Sequence, residues 1–455
     1  MLLGVSLNCS DNREIDMMTR RFLFLVSAAL TAFSQVTPQR LEEQAQAYYD
    51  AGMFQGTAIV AQDGKVLFSK GFGMANIEWS IPNTPDTRFR LGSITKQFTA
   101  MAVLLLEQQG KLKTTDAVCG FVDACPEAWK AITIHHLLTH TAGIPNFTSF
   151  PEYSKTMALA SPPAESLKRF RDKPLDFAPG SKMNYSNSGY VLLGYIIEKA
   201  TGGTYEAYLR ANVLAPLGMN DTGYDWNSTV IARRASGYES DGKVVKNASL
   251  IDMSIPHAAG SMYSTTLDLV KWDGALRAGK LLSPESYKKY FTPVLNNYAY
   301  GWNVKTTDGV EVVSHGGGIN GFATMILRVP AKNLVVVTLS NALPSQAGKL
   351  AQDLLSLELG KDAEKPAKLT EVKVPVTVLK KYVGEYELAP TFILTITLEG
   401  DQLITQATGQ QKIPIFAKSE TSFFPKVMPA EIIFEADGSA LTLVQNGRRM
   451  PAKRK

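Results

Sequence analysis

The chain has 455 residues, 45% of them hydrophobic and 20% charged, with a formal net charge of +5 at pH 7. This is the composition of an ordinary globular protein with room for more than one domain and a sizeable core. So small a charge excess makes no case for a nucleic-acid partner, and neither a basic-aromatic stripe nor a zinc-finger spacing accompanies it.

Residues 17–34, within "MMTRRFLFLVSAALTAFSQ", read as an export signal. Arg20 and Arg21 precede an apolar run over 22–33, and small residues follow, with cleavage expected near 32–34. The run is too short to span a membrane; the alternative is a mature N-terminal helix. Residues 1–16 lack the signal pattern and read as a doubtful extension ahead of a start at Met17 or Met18, with Cys9 lost along with the signal.

A helix is expected over 41–52, then a hairpin in "TAIVAQDGKVLFSKGFG" (57–73), two β-rich runs around Asp63-Gly64. "LGSITKQFTAMAVLLLEQQG" (91–110) follows, apolar nearly all round from Phe98 to Leu106, hence a buried helix. Lys96 stands in its first turn, where the helix dipole disfavours a cation and burial costs several kcal/mol without compensation. Ser93 lies three residues earlier, on the same face. A desolvated amine there could accept the serine's proton, and the helix N-terminus would favour an oxyanion. Chance alone gives a chain of this composition about two Ser-x-x-Lys pairs. Another here, Ser286 and Lys289 in "SPESYKKY", reads as a polar helix start with Ser286 as a cap or turn residue. Ser93 as a mere N-cap remains the plain alternative.

Cys119 and Cys125, in "VCGFVDACPEAW", read as a disulfide if the protein is exported and as two free thiols if it is cytosolic; their spacing is not that of CxxC. From about 114 to 290, helical patterns and long loops dominate. His136 and His140 are four apart but lack the remaining ligands of a metal site, so no metal is expected. In "NYSNSGYVLLGYIIEKATG" (184–202), Tyr185 could act as a general base if an adjacent cation lowered its pKa, with Asn187 bonding Lys96 and a substrate carbonyl. Otherwise Tyr185 is a half-buried aromatic and Asn187 an N-cap.

Strands return at "YGWNVKT", "EVVSHGGGINGFATMILRV" (311–329) and "LVVVTLSN". His315 ends one of them, and Gly316, Gly317 and Gly318 would let a ligand approach the backbone; an exposed His in a hairpin is the alternative. Residues 359–372 are a polar linker. From 373 to 455 short strands and turn residues form a small all-β domain, barrel-like, with Arg448, Arg449, Lys453, Arg454 and Lys455 as a solvated basic tail. The whole is α+β: an antiparallel sheet flanked by helices, a helical subdomain, then the barrel.

In this order the motifs resemble the serine β-lactamase and penicillin-binding-protein superfamily, most of all its class C-like esterases, D-aminopeptidases and D,D-peptidases. "GFGMANIEWSIPNTPDTRFRLGSITKQFTA", "ITIHHLLTHTAGIPNF" and "HAAGSMYSTTLDLVKW" carry the resemblance further, over roughly residues 40 to 345. It implies Ser93 as acylated nucleophile, Lys96 as its activator, Tyr185 as general base, and Asn187 as partner of substrate and lysine. The Ser93 and Gly318 N–H groups would form the oxyanion hole. The domain over 35–358 would be the hydrolase and 373–455 a lipocalin-like barrel. One departure stands out. His315-Gly316-Gly317 occupies the place of Lys-Thr-Gly, so strong β-lactam turnover is not expected, and carboxylate recognition should rise as His315 gains a proton between pH 8 and 6. No Glu of the class A type is identifiable, which leaves deacylation to Tyr185 and a water. The expected function is an exported serine hydrolase of small esters or amides. The alternatives are a D-aminopeptidase, a D,D-carboxypeptidase or weak β-lactamase, or a non-catalytic penicillin-recognising protein. No cofactor is expected; the partner is a small-molecule or peptide substrate.

Overall fold

The structure, a computed structural model, describes residues 36–455 apart from 243, 367–369, 427–429 and 446–447, together with Met1 and Gly4. The signal segment over 17–34 lies outside the described residues. No helix among them is long and apolar enough to cross a membrane.

The larger, N-terminal part is laid out by α1 (Pro38–Asp50), β1 (Gly56–Gln62), β2 (Lys65–Phe72), α2 (Thr95–Gln108), α3 (Asn187–Thr201) and α4 (Thr266–Arg277), then β3 (Asn303–Thr307), β4 (Val310–Ile319), β5 (Phe322–Val329), β6 (Leu334–Ser340) and α5 (Ala347–Glu358). The six strands form one sheet in the order β3-β4-β5-β6-β1-β2. Every neighbouring pair is antiparallel. The first hairpin thus joins the strands from the far end of the chain through β1 and β6.

Strands at the centre are apolar on both faces because helices cover both. Ala58, Val60, Leu334 and Val336 pack against Leu41 and Ala45 of α1 and Leu350 and Leu354 of α5. Ile59, Ala61, Val335 and Val337 face the larger core with α2, α3 and α4. Period-2 alternation therefore disappears from the sequence of β6, as expected of a strand buried on both sides. Helix α2 is the middle of that core, with every residue from Thr95 to Leu106 buried. Its run of Ala, Met and Leu, free of Gly and Pro, suits a helix. Helix α3 ends on Gly202 in the left-handed conformation that favours glycine at a C-terminus.

A 3-10 turn, Gly92–Ile94, precedes α2. Its Ser93 hydroxyl caps nothing; its Oγ lies 2.9 Å from Lys96 Nζ instead. The Ser286–Lys289 pair belongs to a structural helix: Ser283, not Ser286, caps Pro284–Phe291, and Lys289 is ion-paired with Glu107. Cys119 and Cys125 are joined by a disulfide, with Cα atoms 5.3 Å apart.

Eight strands from Gly384–Ala389 to Arg448–Arg454 close a separate barrel with its own apolar core. Arg448, Arg449, Lys453 and Arg454 are not a solvated tail. They belong to the last strand, which pairs with the first at Tyr386 and Glu387 and closes the barrel. Arg448, Arg449 and Lys453 are exposed and Arg454 donates to the Lys381 and Val383 carbonyl oxygens, while Ala452 faces the core; only Met450 and Ala452 mark that inner side as apolar, too weak a period to read as a strand.

Candidate active site

Lys96 is fully buried, and desolvation holds its pKa well below the ordinary lysine value. Its Nζ lies 2.9 Å from Ser93 Oγ, 2.9 Å from Asn187 Oδ1 and 2.8 Å from the Ala259 carbonyl oxygen. Asn187 donates through Nδ2 to Thr148 Oγ1 at 3.2 Å, which fixes its oxygen toward the lysine. Two of the three partners can only accept. A neutral amine donates to those two, and its lone pair is left for the Ser93 hydroxyl, the one partner able to give a proton. In that protonation state the hydroxyl proton faces the amine lone pair.

Tyr185 belongs to the turn before α3. Lys96 Nζ sits 4.8 Å from its ring centre. Its hydroxyl is buried and makes no hydrogen bond of good geometry, yet it lies near enough to the Ser93 hydroxyl to be influenced by it. Burial pushes the phenol up, and Ser93 opposes that only in part. The expected lowering by an adjacent cation is absent, because the same burial drives the lysine toward neutrality.

His140 binds the backbone on both sides of Tyr185. Its carbonyl accepts from the Asn184 N–H at 2.9 Å, and its Nδ1 from the Ser186 N–H at 3.2 Å. Its ring lies 4.2 Å from that of Tyr185. It adopts φ +58°, outside the helix Ile134–Leu138 that carries His136, so the two histidines do not share a face. Burial above all holds its pKa well below the usual histidine value, and Lys96 and His315, when protonated, would lower it further. Among the described residues no group of His, Cys, Asp and Glu could hold a metal.

His315 is buried at 8% exposure rather than displayed in the cleft. Burial first, then Lys96, push its pKa down to about 4. Its Nε2 meets the Tyr298 hydroxyl at 3.0 Å, and its ring centre lies 6.3 Å from that of Tyr185. The expected protonation between pH 8 and 6 is therefore corrected: His315 is neutral throughout that range.

The glycines do bring backbone to the serine. A Cβ on Gly92, which has φ +55°, would lie 2.9 Å from Gly318 N, so the Ser93 turn rests against that strand. A Cβ on Gly317 would fall 2.0 Å from the Leu91 carbonyl oxygen. Gly92, Ser93, Asn187 and Gly318 line a cleft of 170 Å³, with Phe147 and Tyr153 among its walls. Ser93 and Gly318 thus line the same small space. Thr148, His140 and Tyr298 were not legible as site residues; they arrive from loops with no periodic pattern.

A family model described as Beta-lactamase matches residues 39–360. The chain belongs to the beta-lactamase family. Within it, the chain falls in the superfamily of serine hydrolases shared with penicillin-binding proteins. Penicillin-binding protein 4* of Bacillus subtilis (strain 168) is 28% identical over 431 residues, 88% of this chain and 95% of that one. The octameric penicillin-binding protein homologue from Pyrococcus abyssi superposes with a TM-score of 0.64 at 29% identity, covering 91% of this chain and 99% of that one. D-amino acid amidase from Ochrobactrum anthropi SV3, complexed with L-phenylalanine amide, gives 0.61 at 26%, covering 70% and 97%. Residues 369–446 match a domain of unknown function, DUF3471.

Proposed function

We propose that this family member is an exported serine hydrolase that cleaves small esters or amides through an acyl-enzyme on Ser93. The observation that carries this is the buried Lys96, whose only proton-giving partner is Ser93 Oγ at 2.9 Å. Neutral Lys96 takes the hydroxyl proton as Oγ attacks the substrate carbonyl. The Ser93 and Gly318 N–H groups hold the oxyanion. Tyr185, kept a neutral phenol by burial, gives its proton to the departing oxygen or nitrogen and regains one from Lys96. Water then attacks the ester on Ser93, with the same pair moving the proton back. Asn187 holds the lysine and offers its amide to the substrate.

The D-amino acid amidase and penicillin-binding neighbours support amides or peptides of D-configured residues among the substrates. With neither a cation at His315 nor a hydroxyl at Gly316, β-lactams should be poor substrates. The Cys119–Cys125 disulfide supports export. The test is a fluorophosphonate label on the intact protein, with turnover of p-nitrophenyl esters, D-aminoacyl anilides and nitrocefin measured alongside. Labelling at Ser93 with ester or anilide turnover is expected. Labelling without turnover of any of them would leave a binding protein, and full activity in Ser93→Ala would overturn the assignment.

A further inference from the structure

A second cavity, of 550 Å³, adjoins the catalytic cleft: Asn320 is a wall of both, and Leu250 of the one is followed by Ile251 of the other. Its lining is polar, with Asn227, Asn247 and Ser249 beside Arg90 and Arg234, and it holds no Asp or Glu among the described residues. Arg90 stands three residues before Ser93. Behind the two arginines, Asp225 is fully buried and receives both: Arg90 Nε donates to Oδ2 at 2.7 Å, and Arg234 Nη1 donates to Oδ1. One carboxylate thus orients two guanidinium groups and cancels one of their charges. The surplus is not removed nearby, since Arg88 and Arg233 in turn share Asp221. Each guanidinium has five donors, of which Asp225 takes one, so others are left for the cavity.

We propose that this cavity is the subsite for a carboxylate carried on the acyl part of the substrate, bound by Arg90 and Arg234. The inference rests on the hydrolase reading and deepens it. Carboxylate and guanidinium pair with charge-assisted hydrogen bonds, and the buried Asp225 fixes the arginines in advance. Carboxylate selectivity, which His315 cannot supply, would then be a permanent charge independent of pH near neutrality.

The test compares mono-p-nitrophenyl succinate, glutarate and adipate with neutral p-nitrophenyl esters of equal length. At the spacing that fits, kcat/KM should favour the acid by about 10-fold or more, as a desolvated charge pair would give. Arg234→Gln should bring the acid-to-neutral ratio close to one, and Arg234→Lys should restore part of it. Asp225 keeps Arg90 as partner in both. An equal ratio in the wild type and Arg234→Gln, with the neutral ester still hydrolysed, would overturn the subsite and spare the hydrolase. If the wild type hydrolyses neither these esters nor the D-aminoacyl anilides and nitrocefin, the hydrolase reading fails, and titration of glutarate into Ser93→Ala protein still decides the subsite. Weaker binding after adding Arg234→Gln supports it; equal or absent binding refutes it.

Discussion

Lys96 is held by three partners, only one of which can give it a proton, and its burial has a thermodynamic signature. Because its pKa is lowered in the folded protein, the unfolded chain binds more protons between that lowered value and the ordinary lysine pKa. Stability should therefore rise with pH over that range, by up to about 1.4 kcal/mol per pH unit. Urea unfolding of the wild type and Lys96→Met between pH 7 and 9 measures the slope, and the variant should lack this contribution. Parallel curves would mean that the lysine keeps its proton when folded. His140 gives a second prediction. His140→Phe keeps an aromatic ring but leaves the Ser186 N–H without its acceptor, whereas Asn tolerates positive φ and offers an oxygen. Loosening Tyr185 should lower kcat by about 10²-fold in His140→Phe with KM little changed, and His140→Asn should recover most of it. Equal loss in both variants, tracking a fall in thermal midpoint, would reduce His140 to a packing residue.

Strand β4 and the turn before α2 approach each other so closely that their glycines differ in role. A methyl on Gly317 would collide with the Leu91 carbonyl and, at 2.3 Å, with Thr324 Oγ1; one on Gly318 meets nothing within 4 Å. Gly317→Ala should push the strand off the turn and cost about 10²-fold or more in kcat, the scale of a lost oxyanion donor. Gly318→Ala keeps its N–H and should change kcat little; ester hydrolysis by the two purified variants checks the contrast. At this scale much was legible in the sequence. The Asp63-Gly64 hairpin and the apolar helix with Lys96 at its head follow from spacing and turn chemistry alone, whereas the strand does not end at His315 as expected but runs on through the three glycines to Ile319, because β5 pairs with it that far. The pKa directions of Tyr185 and His315 did not follow, because both depend on how deeply loops distant in sequence bury them. The place of His140 beside Tyr185 did not follow either, since its bonds to residues 184 and 186 exist only once the chain has folded.

The two halves of the molecule have separate cores, yet the segment between them is tied to the first. Arg40 pairs with Asp362, Lys365 with Glu43, Lys361 with Asp308, and Gln44 donates to the Glu364 carbonyl. The polar composition of the linker concealed these ties. A chain ending at Pro366 should therefore fold and hydrolyse a small activated ester, with a higher thermal midpoint than one ending at Gly360. Exposed ion pairs each contribute up to about 1 kcal/mol, so the difference should be a few degrees. A folded chain ending at Pro366 with no ester hydrolysis would show that the barrel contributes to the site.

A barrel that closes on itself offers no unpaired strand to another molecule. The large sheet does have two ends, β2 and β3, and each carries lysine there: Lys65 and Lys70 on one, Lys305 on the other. Charged residues on border strands discourage template-driven polymerisation. Copies of this chain should thus resist fibril seeding even at high concentration, and any assembly they form would join through side-chain surfaces rather than by extending a sheet.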